Sequence, residues 1–165
     1  MRSRFLWPVR VLLALFIAAW IAVIFGFSAQ NGAQSSGLSE SIALRLVTRL
    51  HLFDPANAKA LDTVNLIVRK LAHMAEYAVL AGLAGLLLLT WPLPARVSRL
   101  APLGFAAVCA ALDEWSQTFT PGRNGTPVDV LIDAAGALIG CLALLACAHI
   151  VRTLRSRMCM RAEPE

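Results

Sequence analysis

The sequence predicts an all-α fold, a polytopic membrane protein in which four transmembrane helices form a bundle and a long amphipathic-helical outer loop joins the first two. Hydrophobic residues make up 58% of the 165 residues and charged residues only 15%, whereas a soluble domain carries about 25% charge. The apolar residues fall into four long runs, and many basic residues lie at the ends of these runs, as they do in membrane proteins. We therefore interpret residues 1–165 as a single membrane domain.

The first span is predicted at about residues 8–27. Residues 11–27 carry no charge, and at 1.5 Å per residue they nearly cross a hydrocarbon core of about 30 Å. A cleavable signal peptide is the alternative, because basic residues precede the apolar run. The run is long for a signal peptide and only a weak cleavage site, Gly26-Phe27-Ser28, follows it. We expect an uncleaved anchor.

Residues 28–70 form the outer loop, and their composition is more polar. The stretch SAQNGAQSSG has the small polar residues of an irregular loop. Apolar residues at four-residue intervals then predict an amphipathic helix over residues 38–50 that begins near Ser39. A weaker repeat follows over residues 56–70. We expect one or two short helices on the membrane surface or over the end of the bundle, acting as a structural lid or, alternatively, as a binding element.

The other three spans are predicted at about residues 71–91, 100–119 and 128–150. Pro92 and Pro94 end the second span. The apolar part of the third span, residues 100–112, is only about 20 Å long, so the helix has to continue through DEWSQTF to cross a membrane. A turn-rich loop containing PGRNG follows. Residues 151–165 are expected to form a basic, disordered tail.

Four spans place both termini on the same side of the membrane. Nine of the fifteen basic residues then lie on that side: Arg2, Arg4, Arg10, Arg96, Arg99, Arg152, Arg155, Arg157 and Arg161. Cytoplasmic segments carry an excess of Lys and Arg, so both termini are predicted to be cytoplasmic. Because these basic residues lie at the ends of apolar spans, the net charge of +5 does not indicate nucleic-acid binding.

This topology brings polar residues of three spans to one level near the outer membrane surface. They are Arg69 just before the second span, His73, Glu76 and Tyr77 at its start, Asp113, Glu114 and Gln117 of the third span, Arg123 of the loop between the third and fourth spans, and Asp129 and Asp133 of the fourth span. Spacings of three and four residues put each set on one helix face. The five carboxyl groups outnumber the nearby cations, and unpaired acids are costly in a membrane. The cluster is therefore a candidate functional site.

Three segments of the chain resemble the VanZ family of bacterial membrane proteins, which is named for a teicoplanin-resistance accessory protein. They are FSAQ (27–30), RKLAHMAEYAVL (69–80) and DEWSQTFTPGRNGTPVDVLIDAAGALIG (113–140). The family usually has asparagine at the position of Asp133. The resemblance implies a multi-pass protein of the bacterial cytoplasmic membrane with a role at the cell envelope, and lowered glycopeptide susceptibility is known for the namesake. It does not supply an established reaction.

One hypothesis is an enzyme that acts on a membrane lipid or a lipid-linked envelope precursor. His73, Glu76, Asp113 and Glu114 are then the candidate acid and base groups. Arg69 and Arg123 would hold a phosphate or carboxylate. A divalent cation such as Mg²⁺ or Mn²⁺ would suit the carboxylates, although the hypothesis does not require one.

A second hypothesis is binding without catalysis, in which the site holds a polar headgroup or the lipid-linked target of the drug. The ligand-binding candidates are Arg69, Tyr77, Gln117, Arg123, Asp129 and Asp133. The alternative to both hypotheses is a membrane scaffold whose buried polar network only fixes the register of the helices. No pattern in the sequence sets the oligomeric state.

Overall fold

The computed structural model describes residues 6–54 and 57–161, and all regular structure in these residues is helical. The five helices are α1 (Trp7–Ser28), α2 (Gly32–Leu50), α3 (Ala58–Leu89), α4 (Ala95–Gln117) and α5 (Pro127–Arg161). Helices α1, α3, α4 and α5 are long and apolar enough to cross a membrane. The predicted all-α bundle of four spans is confirmed. Arg2 and Arg4, on which the topology prediction partly rests, lie outside the described residues.

Helix α3 is the centre of the bundle, because it packs against the other four helices and most extensively against α5. Tyr77 and Leu80 of α3 have no exposed surface, and they belong to one core with Ala106 and Ala110 of α4 and Ala137 of α5. Small side chains at these contacts let the helices approach closely. Most of the core is therefore built around the middle of α3.

Two glycines of α5 set its distance from α3. A Cβ atom at Gly136 would lie 2.7 Å from the Cα of Met74, and one at Gly140 would lie 2.7 Å from the carbonyl carbon of Ala78. Both distances are well below the 3.5–4.0 Å of a normal carbon contact. Gly136 and Gly140 are four residues apart and form a small-xxx-small pattern, which lets the two backbones touch directly.

The outer surface of the bundle is apolar. No more than 28% of the residues in any of the four apolar segments are buried, so most of their large side chains face outward, where a membrane would cover them. Trp115 and Phe119, near the end of α4, are 63% and 72% exposed and contact each other edge to face. Exposed aromatic side chains at this position are typical of a membrane–water interface.

The bundle has two ends, which we name by their contents. The α2 end carries the last residues of α1, helix α2, the first half of α3 and the α4–α5 loop. The termini end carries the start of α1, the α3–α4 connection and the last turns of α5. Arg10 ties the start of α1 to that connection, since its Nε donates to Thr90 Oγ1 at 3.1 Å and its guanidinium lies 3.9 Å from the centre of the Trp91 ring.

The structure corrects the prediction of a separate second surface helix over residues 56–70. That segment and the second span form one helix, α3, of 32 residues. No proline separates the two segments, and the Asn57 side chain caps the start by accepting a hydrogen bond from the amide of Ala60 at 3.2 Å. At 1.5 Å per residue α3 is about 48 Å long, so it extends well beyond a hydrocarbon core of about 30 Å.

Helix α2 begins at Gly32, earlier than the predicted start near Ser39, and it includes part of the stretch expected to be a loop. The helix packs against α3, and its buried residues are Ala43 and Val47, which have no exposed surface. The apolar repeat that predicts the helix does not form this contact, because Ile42, Leu46 and Leu50 are 43%, 40% and 62% exposed. The amphipathic period therefore predicts the helix but not the face that it buries. Helix α2 covers one side of the bundle at the α2 end.

The prediction of a disordered tail after residue 150 was wrong for residues 151–161, which continue α5. Residues 141–161 contain no glycine or proline, so nothing in this stretch stops the helix. The third span also differs from the predicted bounds, because α4 begins at Ala95 and ends at Gln117. Arg96 and Arg99 consequently lie in the first turns of a helix and not in a connection.

Candidate functional site

A network of buried polar side chains joins α1 and α4 at the α2 end. Asp113 has no exposed surface. Its Oδ2 accepts hydrogen bonds from Ser28 Oγ at 2.7 Å and from Gln117 Nε2 at 3.1 Å. The same nitrogen of Gln117 lies 3.2 Å from Glu114 Oε1. Gln117 thus contacts both acids that lie three and four residues before it on α4, and Ser28 of α1 adds a partner from outside that helix.

The α4–α5 loop turns Arg123 back over this network. The amide of Arg123 donates to the carbonyl of Thr120 at 3.1 Å, and Gly122 between them has a φ of 74°. Proline followed by glycine at the two central positions is typical of a type II turn, in which the second residue needs a positive φ. The loop sequence TPGR therefore determines where Arg123 lies.

Arg123 is only 6% exposed. Its Nη1 donates to Gln117 Oε1 at 3.2 Å, and its Nη2 donates to the carbonyl of Phe27 at 3.1 Å. Burial, and then the neighbouring charge of Arg69, lower the pKa of the Arg123 guanidinium from its usual range. The group still carries its charge at neutral pH, so a permanent cation lies over the polar network.

Thr126 directly precedes α5 and connects it to α4. Its amide donates to Glu114 Oε2 at 3.0 Å. Its hydroxyl donates to Asp129 Oδ2 at 2.9 Å and accepts from the Asp129 amide at 3.2 Å. Thr126 followed by Pro127 and, two residues later, an acid is a helix-start pattern. The other carboxylate oxygen of Asp129 pairs with Lys70 of α3.

His73 and Glu76 form the part of the site that belongs to α3. The Nδ1 of His73 lies 3.7 Å from Oε2 of Glu76, and the two side chains are 18% and 19% exposed. The backbone of Glu76 is held from α1, because its carbonyl accepts a hydrogen bond from Trp20 Nε1 at 2.9 Å. The imidazole of His73 and the carboxyl group of Glu76 are therefore adjacent and partly exposed.

Several buried polar atoms of this region have no hydrogen-bond partner among the described residues. Those in the cluster are His73 Nδ1, Glu76 Oε2, Tyr77 Oη, Asp113 Oδ1, Arg123 Nε and Asp133 Oδ2. Buried polar groups are nearly always hydrogen-bonded, and each exception calls for an explanation. Tyr77 and Asp113 line neither of the two clefts beside this cluster, whereas His73, Glu76, Arg123 and Asp133 each line at least one of them. The unpaired atoms of these four residues favour a ligand site.

Two neighbouring clefts open beside these groups. The first has a volume of about 240 Å³, and we call it the polar cleft because its walls include Arg69, Lys70, His73, Glu114, Gln117, Arg123, Asp129 and Asp133. The second has a volume of about 250 Å³, and we call it the apolar cleft because Phe27, Ile42, Val68 and Ala72 form much of its wall. Arg69, His73 and Arg123 line both clefts.

Residues 13–150 match the protein-family model described as VanZ/LLP1. The match covers most of α1, all of α2, α3 and α4, and α5 as far as residue 150, including every residue of the cluster. The chain belongs to the VanZ family. The resemblance expected from the sequence is confirmed. No curated protein and no solved structure matches the chain.

In this VanZ-family protein the structure places the predicted site residues at one end of the bundle, but not in one cavity. Asp113 and Tyr77 are fully buried and line neither cleft. Glu76 lines the apolar cleft, and Glu114 lines the polar cleft. Among the four predicted acid and base groups only His73 lines both clefts. Asp113 is placed to position other residues, since its contacts are to Ser28 and Gln117.

The predicted site residues did not include three residues that the structure adds to the site, namely Ser28, Lys70 and Thr126. Ser28 lies in FSAQ, so the resemblance to the VanZ family contained a signal for it. Lys70 lies three residues before His73 and therefore shares its helix face. Thr126 could have been found as the residue that starts a helix before proline.

The arrangement offers little support for a metal centre. In the part of the chain that the structure describes, no group of three or more His, Cys, Asp or Glu side chains is placed to hold a metal ion. Asp113 is occupied by Ser28 and Gln117, while Asp129 is occupied by Lys70 and Thr126. The chemistry that the geometry supports is anion binding, with proton transfer as an alternative.

Proposed function

We propose that this VanZ-family membrane protein binds the anionic headgroup of a membrane lipid or a lipid-linked envelope precursor at the α2 end. The observation that carries the proposal is the shared lining of the two clefts by Arg69, His73 and Arg123. A phosphate or carboxylate at the junction of the clefts meets two guanidinium groups, whose planar donors match such oxygens.

The two clefts suit the two parts of an amphipathic ligand. The polar cleft presents donors, among them Arg69, Lys70 and Asn124, to a headgroup. The apolar cleft presents Phe27, Ile42 and Val68 to the first part of a hydrocarbon chain. A water-soluble anion would leave the apolar cleft unused, so a lipid-linked anion fits better.

We place this site at the outer surface of a bacterial cytoplasmic membrane, with both termini in the cytoplasm. The support is the excess of basic residues on the side of the termini, nine of fifteen in the sequence. An outer-surface site that holds a lipid-linked envelope precursor would change the access of a glycopeptide drug to its target. Lowered teicoplanin susceptibility is a consequence that this proposal allows.

The test compares Arg69→Gln with the natural protein in binding a polyprenyl phosphate, using the uncharged polyprenol as the reference lipid. Arg69 is half-buried, lines both clefts and contributes no hydrogen bond to the polar network described above. A charge-assisted hydrogen bond contributes about 1.5–3 kcal/mol, so binding of the phosphate should weaken about tenfold or more. Binding of the polyprenol should change little.

Arg45→Gln is the matched control, since Arg45 lies exposed on α2 at the same end and lines neither cleft. Equal affinities of the natural protein and Arg69→Gln would contradict the proposal. Equal weakening by Arg45→Gln would also contradict it, because the attraction would then come from the charged surface and not from the clefts.

Catalysis at the same site is a second candidate, and the His73–Glu76 pair favours it. The pair is adjacent at 3.7 Å, both groups have an unpaired buried atom, and both line the apolar cleft. A carboxyl and an imidazole in this arrangement can relay a proton to or from a ligand held by Arg69. The reaction would be hydrolysis at the headgroup: the oxygen of a water molecule forms the new bond as its proton passes to the pair, and the leaving oxygen of the broken bond takes a proton back from the pair.

His73→Gln separates the two candidates. If the protein only binds its ligand, the variant should lose affinity and the natural protein should release no product from the bound lipid over hours. If it is an enzyme, the natural protein should produce a new lipid or headgroup species by mass spectrometry. His73→Gln should then abolish that species while it keeps most of the affinity.

A further inference from the structure

Another cleft lies at the termini end, between α3, α4 and α5. Its volume is about 300 Å³, and it shares no lining residue with the polar or apolar cleft. Leu89, Pro102 and Leu144 give it apolar walls, while Arg99 and Arg152 contribute guanidinium groups. We call it the basic cleft.

The charge around the basic cleft is of one sign. All the acidic residues that the structure describes lie toward the opposite end of the bundle, namely Glu40, Asp54, Asp62, Glu76, Asp113, Glu114, Asp129 and Asp133. Among the described residues, Arg99 and Arg152 have no hydrogen bond or ion pair, whereas Arg10 at the same end is held by Thr90 and Trp91. No acid in the described part of the chain therefore neutralises the two arginines of the cleft.

We propose that the basic cleft binds the phosphate headgroup of an anionic membrane phospholipid. Arg99 comes from α4 and Arg152 from α5, so one phosphate between them would receive charge-assisted hydrogen bonds from two helices. Ser98 and His149 add polar groups to the same lining. Basic pockets between transmembrane helices at the cytoplasmic surface are known to hold such headgroups.

The apolar walls favour a lipid over a free anion. Leu89, Leu144 and Leu145 line the cleft on the side of the membrane-spanning segments, where the glycerol and first methylene groups of a phospholipid would lie. The bound lipid would connect the start of α4 to the end of α5. This site does not depend on the function proposed for the α2 end, because the two sites lie at opposite ends of the bundle.

The test counts phospholipids on the purified full-length protein by native mass spectrometry. The protein in non-ionic detergent is titrated with phosphatidylglycerol or, for comparison, phosphatidylcholine. We expect selective retention of phosphatidylglycerol. Replacing both arginines, as Arg99→Gln with Arg152→Gln, should weaken retention by about fivefold for each charge removed.

The matched control is Arg96→Gln with Arg155→Gln, which removes two charges from the same end but none from the lining of the cleft. Equal weakening in this control would overturn the proposal in favour of diffuse attraction to a basic surface. Displacement of the lipid by inorganic phosphate at similar concentration would also overturn it, since the ligand would then be a free anion. Loss of retention only in Arg69→Gln would place the lipid at the α2 end.

A second variant tests the cleft without changing its charge. Ala148 lines the cleft, whereas Ala146 is exposed on the same helix and does not line it. We expect Ala148→Phe to fill the cleft and lose the retained phosphatidylglycerol, while Ala146→Phe keeps it. Full retention in Ala148→Phe would show that the lipid lies elsewhere, and the proposal would be wrong.

Discussion

Asp113 and Asp133 are buried aspartates with different surroundings. Asp113 is fully buried and receives hydrogen bonds from Ser28 and Gln117. Asp133 is 1% exposed, and its Oδ2 has no partner among the described residues. The carboxylate of Asp113 therefore stabilises the junction of α1 and α4, whereas the carboxyl of Asp133 is available to a ligand in the polar cleft.

The same substitution at these two positions should have opposite consequences for stability. Asp113→Asn should lower the free energy of unfolding by about 1–2 kcal/mol, because two charge-assisted hydrogen bonds become neutral ones. Asp133→Asn should keep or raise stability, because it removes an incompletely paired buried acid. Thermal unfolding of the two variants in the same detergent measures both effects. A larger loss for Asp133→Asn would contradict the assignment.

The ion pair between Lys70 and Asp129 should contribute little to stability. Its side chains are 35% and 30% exposed, and solvent screens pairs of this kind. We expect a coupling energy of about 0.2–1 kcal/mol from a double-mutant cycle with Lys70→Met and Asp129→Asn. A coupling of several kcal/mol would show that the pair is effectively shielded from water.

At the level of elements, the site depends on the continuity of α3. Arg69 and Lys70 belong to the half that was predicted as a surface helix, while His73 and Glu76 belong to the predicted span. Because one uninterrupted helix carries all four residues, their relative positions are fixed by helical geometry. A flexible joint at residue 70 would have separated the cations from the titratable pair.

The packing of α3 on α5 should be sensitive to a single methyl group. Gly136→Ala places a Cβ against the backbone of Met74, which cannot rotate away as a side chain can. We expect a loss of about 1–3 kcal/mol, typical of overpacking. Thermal unfolding and the affinity for the polyprenyl phosphate should both decrease, because α5 carries one wall of the polar cleft.

Gly82→Ala is the control for this prediction. A Cβ at Gly82 meets nothing within 4 Å, and alanine is favoured over glycine inside a helix by about 0.5–1 kcal/mol. The control should therefore be neutral or slightly stabilising. If Gly136→Ala behaved in the same way, the close contact of the two backbones would not exist in the membrane.

For the molecule as a whole, the arrangement of the four spans makes a direct prediction about topology. Reporter fusions after residues 96 and 160 should give cytoplasmic signals, and a fusion after residue 36 should give a periplasmic signal. The reason is that α1, α3, α4 and α5 cross in alternating directions and that basic residues favour the cytoplasmic side. A periplasmic signal after residue 96 would contradict the shared outer site.

The whole molecule also has a division between its two ends. The α2 end combines acids, arginines and a histidine in two neighbouring clefts, whereas the described charges of the termini end are all basic. Among the described residues, carboxyl groups accompany the arginines only at the α2 end, whereas the basic cleft combines its arginines with His149. For this reason we propose that the protein's principal function belongs to the α2 end and that the basic cleft makes a supporting lipid contact.

The sequence by itself determined the four spans, the helical structure of α2 and the helix faces that carry the polar residues. These properties are local, because hydropathy and a period of 3.6 residues can be read within one segment. The resemblance in three segments also pointed to the VanZ family before any contact was known. The turn at Gly122 was encoded locally as well, by proline followed by glycine.

Only the tertiary structure decided which polar groups meet. Ser28 and Asp113 are 85 residues apart, and Lys70 and Asp129 are 59 residues apart; no periodicity relates such positions. Their contacts depend on the close approach of the helices, which Gly136 and Gly140 permit. They also depend on α3 continuing as one unbroken helix through residue 70. For the same reason only the structure could show that Asp113 supports the network while Arg69, His73 and Arg123 line the clefts.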